Sequence, residues 1–217
     1  MIEFSLWDIA FDLALAARWT ILLSLIAFVC GGAVGLLLLV IRVSGNGWVA
    51  LFVNLYVELF QGTPLLMQLF LVFFGLPLLG VEVSPWLAAT VTLTLYTSAY
   101  LVEIWRGCVE AVPHGQWSAG ASLGMRYPQQ LRHIILPQAL QVAVAPTVGF
   151  LVQVVKSTAL TSIIGFVELT KTSSILTNAT FRPFPIYGMV ALLYFAMCFP
   201  LTWYARQLEK KQTARQR

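Results

Sequence analysis

Few residues in this chain can do chemistry. Among 217 residues there are nine Asp and Glu, 13 Lys and Arg, two His and three Cys. His114 and His133 lack neighbours at metal-ligand spacing and read as polar residues at a membrane edge. Cys30, Cys108 and Cys198 offer no disulfide framework. The sequence contains no G-x-x-x-x-G-K-[ST] cradle for nucleotide phosphates, no H-E-x-x-H and no G-x-S-x-G. Neither a catalytic residue nor a cofactor or metal is therefore expected in this chain. The remaining polar groups stand in apolar surroundings, where a charge must reach an interface, a polar cavity or a partner. Glu58, Glu103, Lys156 and Glu168 are such groups. With Gly62, Thr63, Pro64, Tyr100 and Thr158 they form the candidate set for translocation or gating.

Those residues need elements to hold them, and composition selects the elements. The chain is 59% hydrophobic and 10% charged, against about 25% charged in soluble domains. Its mean hydropathy is +0.83, which excludes an ordinary water-soluble fold. Residues 19–41, 59–81, 83–102, 133–155 and 183–205 carry no Asp, Glu, Lys or Arg. Each is long enough for a helix across a hydrocarbon core of about 30 Å. The expectation is an all-α polytopic membrane protein with about five transmembrane helices and one domain over 1–217. Glu3, Asp8, Asp12 and Arg18 precede the first run without a basic leader, so an uncleaved first helix is expected. Nine Lys and Arg fall on the side of the tail, 206–217, and four on the other. The excess places the tail and the 106–133 segment in the cytoplasm and the N-terminus outside. The net charge of +4 suits anionic headgroups and requires no nucleic acid.

Local signals refine this outline. Gly31 and Gly35 give helix one a face that admits another backbone closely. Gly62 and Pro64 interrupt the second apolar segment. That break reads either as a gate or as an edge helix ending before the true span. Thr90, Thr94 and Thr97 or Ser98 form a row that suits a polar pathway or simple back-bonding within the helix. Glu103 is placed to pair with Arg106. Pro137, Pro146 and Gly149 should bend helix four, and residues 157–165 are apolar enough to re-enter the protein at membrane depth. In 106–133, Pro113 can start a helix whose Ala119, Gly120, Ala121 and Gly124 leave little side-chain bulk. It reads as a docking helix anchored by Trp117 and Leu123, or as a lipid-lying helix anchored by Trp117 and Tyr127.

Here the sequence resembles a known family. Ser118, Ala119, Gly120, Gly124, Ile134, Ile135, Leu136 and Pro137 resemble the Glu-Ala-Ala loop of membrane permease subunits of bacterial binding-protein-dependent ABC importers. Within that family the polar amino acid branch is the most similar. The spacing from Gly124 to Ile134, Leu136 and Pro137 is kept, while Ser118 and Gly120 replace a glutamate and an alanine. The stretch Tyr56-Val57-Glu58-Leu59-Phe60-Gln61-Gly62-Thr63-Pro64-Leu65-Leu66 is similar to a second motif of the branch, with Gln61 for its usual arginine. Ala99 to Gly107, Val112 to Gln116, and Lys156-Ser157-Thr158-Ala159-Leu160 extend the likeness over nearly the whole chain.

The resemblance implies a type I ABC importer permease fold. It implies an ATPase-coupling loop at Gln116, Trp117, Ser118, Ala119, Gly120, Ala121, Ser122, Leu123 and Gly124, joined to helix four by Ile134, Leu136 and Pro137. It further implies a second permease subunit (identical or homologous), two ATPase subunits carrying ATP and Mg, and an extracytoplasmic solute-binding protein. The setting would be the lipid bilayer of a bacterial inner membrane. Lys156, Glu168 and Lys171 are then candidates for an amino acid's charged groups, or for pairing with one another. Two other classes remain on the residues alone: a self-contained carrier coupled through Glu58, Glu103 or Glu168, and a scaffold using the 106–132 loop.

Overall fold

The computed structural model describes residues 5–43 and 47–215; Glu3 and Arg217, counted above, lie outside them. The described elements are helical, as apolar segments of this length require. In lipid, each backbone N–H and C=O must be paired within its own segment. In chain order they are α1 (Leu6–Val43), α2 (Gly47–Gly62), α3 (Leu65–Leu78) and α4 (Pro85–Glu110). There follow α5 (His114–Ser122), α6 (Tyr127–Ser162), α7 (Leu169–Thr180) and α8 (Pro183–Arg215). Four helices, α1, α4, α6 and α8, are long and apolar enough to cross a membrane, and α2 with α3 makes a fifth candidate bent by 103°.

The long α1 lies against α4, and two glycines set the approach. A Cβ on Gly31 would stand 2.6 Å from the Thr97 Cβ, and one on Gly35 would stand 3.1 Å from the Ser98 carbonyl oxygen. Without Cβ atoms the helices pack backbone to side chain, where dispersion holds them together. Leu23 and Ala27 of α1, Leu69 of α3, Ala88 and Leu93 of α4 and Val154 of α6 are buried in the resulting core. A second cluster joins Ile9 and Leu13 of α1 to Leu169 of α7 and Ile186 of α8.

At the other end of α1, Arg42 Nη1 donates to Glu103 Oε1 at 2.5 Å. Arg106 holds the second oxygen through Nε at 2.9 Å and Nη2 at 2.8 Å. Glu103 thus pairs with Arg106, as its spacing suggests, and also with a partner 61 residues away. Of the threonine row, Thr97 and Ser98 are fully buried against α1, while Thr90 and Thr94 are half-buried.

Prolines explain the irregular turns. Leu71–Gly75 and Leu131–Ile135 are π-helical, and each is followed by a Leu-Pro pair, Leu76-Pro77 and Leu136-Pro137. A proline four residues on cannot bond back to its carbonyl, and a widened turn accommodates that loss. The last element, α8, has 33 residues, about 50 Å at about 1.5 Å per residue. It is longer than a hydrocarbon core of about 30 Å, so its basic end extends beyond one.

Candidate functional site

The turn out of α4 ends at Pro113, whose ψ of 136 leads into α5. The helix is closed by Gly124 at φ +70, a left-handed conformation that side chains resist. Met125 N donates to the Gly120 carbonyl at 3.2 Å and Gly124 N to that of Ala121 at 2.9 Å, the pattern of a glycine-terminated helix. Arg126 N then donates to Gln129 Oε1 at 2.9 Å, starting α6 with Pro128 in its first turn.

One side of α5 is seated on α6. Gly120 is buried, and a Cβ there would lie 2.9 Å from Gln130 Cγ and 3.0 Å from Ile134 Cδ1. The buried Gln130 donates to the Met125 carbonyl at 2.7 Å. Trp117 stacks on Tyr127 at 5.6 Å between centroids and 14° between planes, and it packs against Val112, Ile135 and Ala139. Gln116 Oε1 accepts from Gln138 Nε2 at 3.4 Å. Trp117 and Gly120 therefore anchor the helix to its own chain. Ser118, Ala119, Ala121, Ser122 and Leu123 are exposed, Leu123 to 78%. Ile135 is fully buried beside the half-buried Ile134 and Leu136, and Pro137 is exposed. This junction makes α5 and α6 one packed unit. The arrangement can present a small, apolar and hydroxyl-bearing surface from a rigid base.

The corner between α2 and α3 is the second place where candidate residues meet. Glu58, Gly62, Thr63 and Pro64 are exposed. Tyr56 OH, on α2, donates to the Leu95 carbonyl at 2.9 Å and lies 2.6 Å from Ser98 Oγ. Gln61 Nε2 donates to the Ala99 carbonyl at 3.3 Å. Gln68, one turn beyond Pro64 and overlooked as a site residue, is buried and bonded to the corner. The missing N–H of Pro64 was the signal that a donor had to come from elsewhere.

The third place is Glu168, which is fully buried. Its Oε2 accepts from Thr20 Oγ1 at 3.1 Å and Tyr194 OH at 3.1 Å, and its Oε1 from Lys171 N at 2.9 Å. As N-cap of α7 it also meets the helix's positive end. The residue lies between the spans of α6 and α8. There burial pushes its carboxyl above the usual range, while the N–H groups of Thr170 and Lys171 and the two hydroxyls pull it down. The bonded partners are neutral donors, so Glu168 ties α1, α7 and α8 together. Lys156 is exposed and lines a groove of about 330 Å³ with Tyr194, Cys198, Thr202 and Arg206. Thr158 is buried and back-bonds to the Val155 carbonyl at 2.8 Å. Tyr100 stacks on Phe150 at 5.3 Å. The three carboxylates do not converge: Glu58 is exposed on α2, Glu103 is clamped by two arginines and Glu168 is capped by hydroxyls and backbone. Among the described residues, no three His, Cys, Asp or Glu form a metal-holding group.

Known proteins place these features in a common frame. The family described as "Binding-protein-dependent transport system inner membrane component" matches residues 27–214. The probable amino-acid ABC transporter permease protein YckA of Bacillus subtilis is 32% identical over 97% of this chain and 98% of its own length. The glutamine transport system permease protein GlnP of Escherichia coli K12 is 32% identical over 90% of each chain. A chain from the crystal structure of an amino acid ABC transporter with histidines superposes with a TM-score of 0.88 at 30% identity, covering 92% of this chain and 94% of that one. A chain of the inward-facing MetNI methionine ABC transporter has the same fold, at a TM-score of 0.66 and 20% identity over 97% of this chain and 99% of that one.

Proposed function

The chain belongs to the family of inner membrane components of binding-protein-dependent transport systems, and we propose that it forms half of the pathway of an ATP-driven importer for polar amino acids. Its relatives are named for amino-acid and glutamine transport, which supports that substrate class. It pairs with a second permease subunit, identical or homologous. Two separate ATPase subunits bind ATP and Mg, and an extracytoplasmic solute-binding protein delivers the substrate. The complex sits in a bacterial inner membrane, with the N-terminus outside and the coupling segment and basic tail in the cytoplasm. No catalysis, cofactor or metal is assigned to this chain; hydrolysis belongs to the partner.

The observation that carries this reading is the two-sided α5. One side is locked to α6 through Gly120, Trp117 and Tyr127, and the other is exposed and nearly free of bulk. A partner seated on the exposed side moves α6 when it moves α5, because the junction is packed. ATP-driven closure of the ATPases then reorients helices around the substrate. Lys156 and Arg206, which line one groove along α8, are cations available to a substrate carboxylate.

Leu123→Ala tests the docking. Crosslinking to the ATPase, normalised to membrane-inserted chain, should fall about tenfold, as for an anchor side chain worth ~1.4 kcal/mol. Unchanged crosslinking and unchanged uptake would overturn the assignment.

A further inference from the structure

The α2–α3 corner contains a side chain that replaces the backbone bonds the bend removes. Pro64 has no N–H, so the carbonyl of Phe60, four residues earlier, loses its helical donor. The Thr63 carbonyl would ordinarily accept from Met67 N, but that N–H turns to the Pro64 carbonyl at 2.9 Å. Pro64 itself is extended, at ψ 133. Both orphaned carbonyls are met by one group: Gln68 Nε2 donates to Phe60 O at 2.9 Å and to Thr63 O at 3.1 Å. An amide nitrogen carries two hydrogens, shared here among the two carbonyls and Thr63 Oγ1, which accepts at 2.9 Å and itself donates to the Leu59 carbonyl at 2.7 Å.

The other end of the amide sharpens the case. Gln68 Oε1 is buried and has no hydrogen-bond partner among the described residues, an arrangement that is costly away from water. A residue kept for apolar packing would not carry that oxygen. The nitrogen is what the position uses. Each arm has its own contacts beyond the corner, α2 through Tyr56 and Gln61 on α4 and α3 through the buried Leu65 and Leu69 in the core. Gln68 joins one arm to the other.

We propose that Gln68 is a positioning residue that makes the Gly62–Thr63–Pro64 break a rigid bracket, so that α2 and α3 move as one body during transport. The extended Pro64 sets the direction of the bend, and the Gln68 amide holds its angle. The proposal rests on the transporter reading for its functional readout alone, since the angle is measurable without transport.

The test uses the assembled complex, with Cys30→Ser to remove the exposed thiol and spin labels at Leu55 and Leu78, one exposed site on each arm. One labelled copy is present per complex. The native chain should give one narrow distance distribution, the same with and without ATP. Gln68→Met preserves length and apolar contacts while removing the donor. It should at least double the width of the distribution and lower amino acid moved per ATP several-fold, with the ATPase rate within twofold of native. Where this variant does not assemble, Gln68→Asn, one methylene too short to span the break, decides by the same readouts. An unchanged width in the variant, or a native distance that shifts on ATP binding, would overturn the proposal. Loss of uptake in the native complex with a narrow, constant distance would instead count against the transporter reading and leave the bracket standing.

Discussion

The α2–α3 corner and the α5 segment are both built from glycine, proline and small polar residues, yet they use them in opposite ways. At the corner the glycine is dispensable for space: among the described residues nothing lies within 4 Å of a Cβ on Gly62. The side chains of Thr63 and Gln68 repair the backbone around Pro64. In the α5 segment glycine is indispensable, Gly120 for space and Gly124 for conformation. Gly120 lets α5 touch Gln130 and Ile134, and Gly124 takes the left-handed turn that closes the helix. Similar residue types thus produce a bracket held by side-chain donors in one place and a seat defined by missing side chains in the other.

The contrast orders a series of substitutions by expected effect. Gly120→Leu should be the most damaging, since even its Cβ meets Gln130 Cγ at 2.9 Å; overpacking of this kind costs about 1–3 kcal/mol or more. The thermal inactivation midpoint of the purified complex should fall, together with ATPase association. An unaltered midpoint would show that α5 is not seated where the contacts put it. Gly124→Ala has open space around it but φ +70, so backbone strain alone should cost about 1–2 kcal/mol. Its midpoint should drop less, and Gly124→Asn, which tolerates that conformation, should recover part of the loss. Smallest of all, Gly62→Ala meets no atom and needs no positive φ; stability and uptake should stay within ~0.5 kcal/mol and twofold of native. A large effect there would move the glycine's role from geometry to motion and would contradict a rigid corner.

Much of the fold is legible along the chain. Four charge-free runs fall on helices long and apolar enough to cross a membrane, and the run 59–81 falls on the bent α2–α3 pair. Gly31 with Gly35 marks a close approach, and all these signals are legible because they are local. The break at residues 62–64 is legible for the same reason, since proline's missing N–H acts within its own turn. The helix following Pro113 is also visible, and it spans His114–Ser122. Its polarity is not legible. Gly120 and Trp117 look like partner contacts until Gln130, Ile134 and Tyr127 are known to cover that side. The threonine row similarly suggests a pathway until α1 is laid across Thr97.

Glu168 shows where sequence reading stops. Its burial depends on Thr20 and Tyr194, 148 and 26 residues away, and no local pattern announces either donor. By itself the sequence determined that this chain is an array of membrane helices with a small-residue loop, because lipid imposes length and apolarity on each segment separately. Which face of that loop is free, and which polar groups are silenced by neighbours, only the tertiary structure decided. Those properties belong to pairs of segments, and their energies depend on contacts that exist only after the helices have packed.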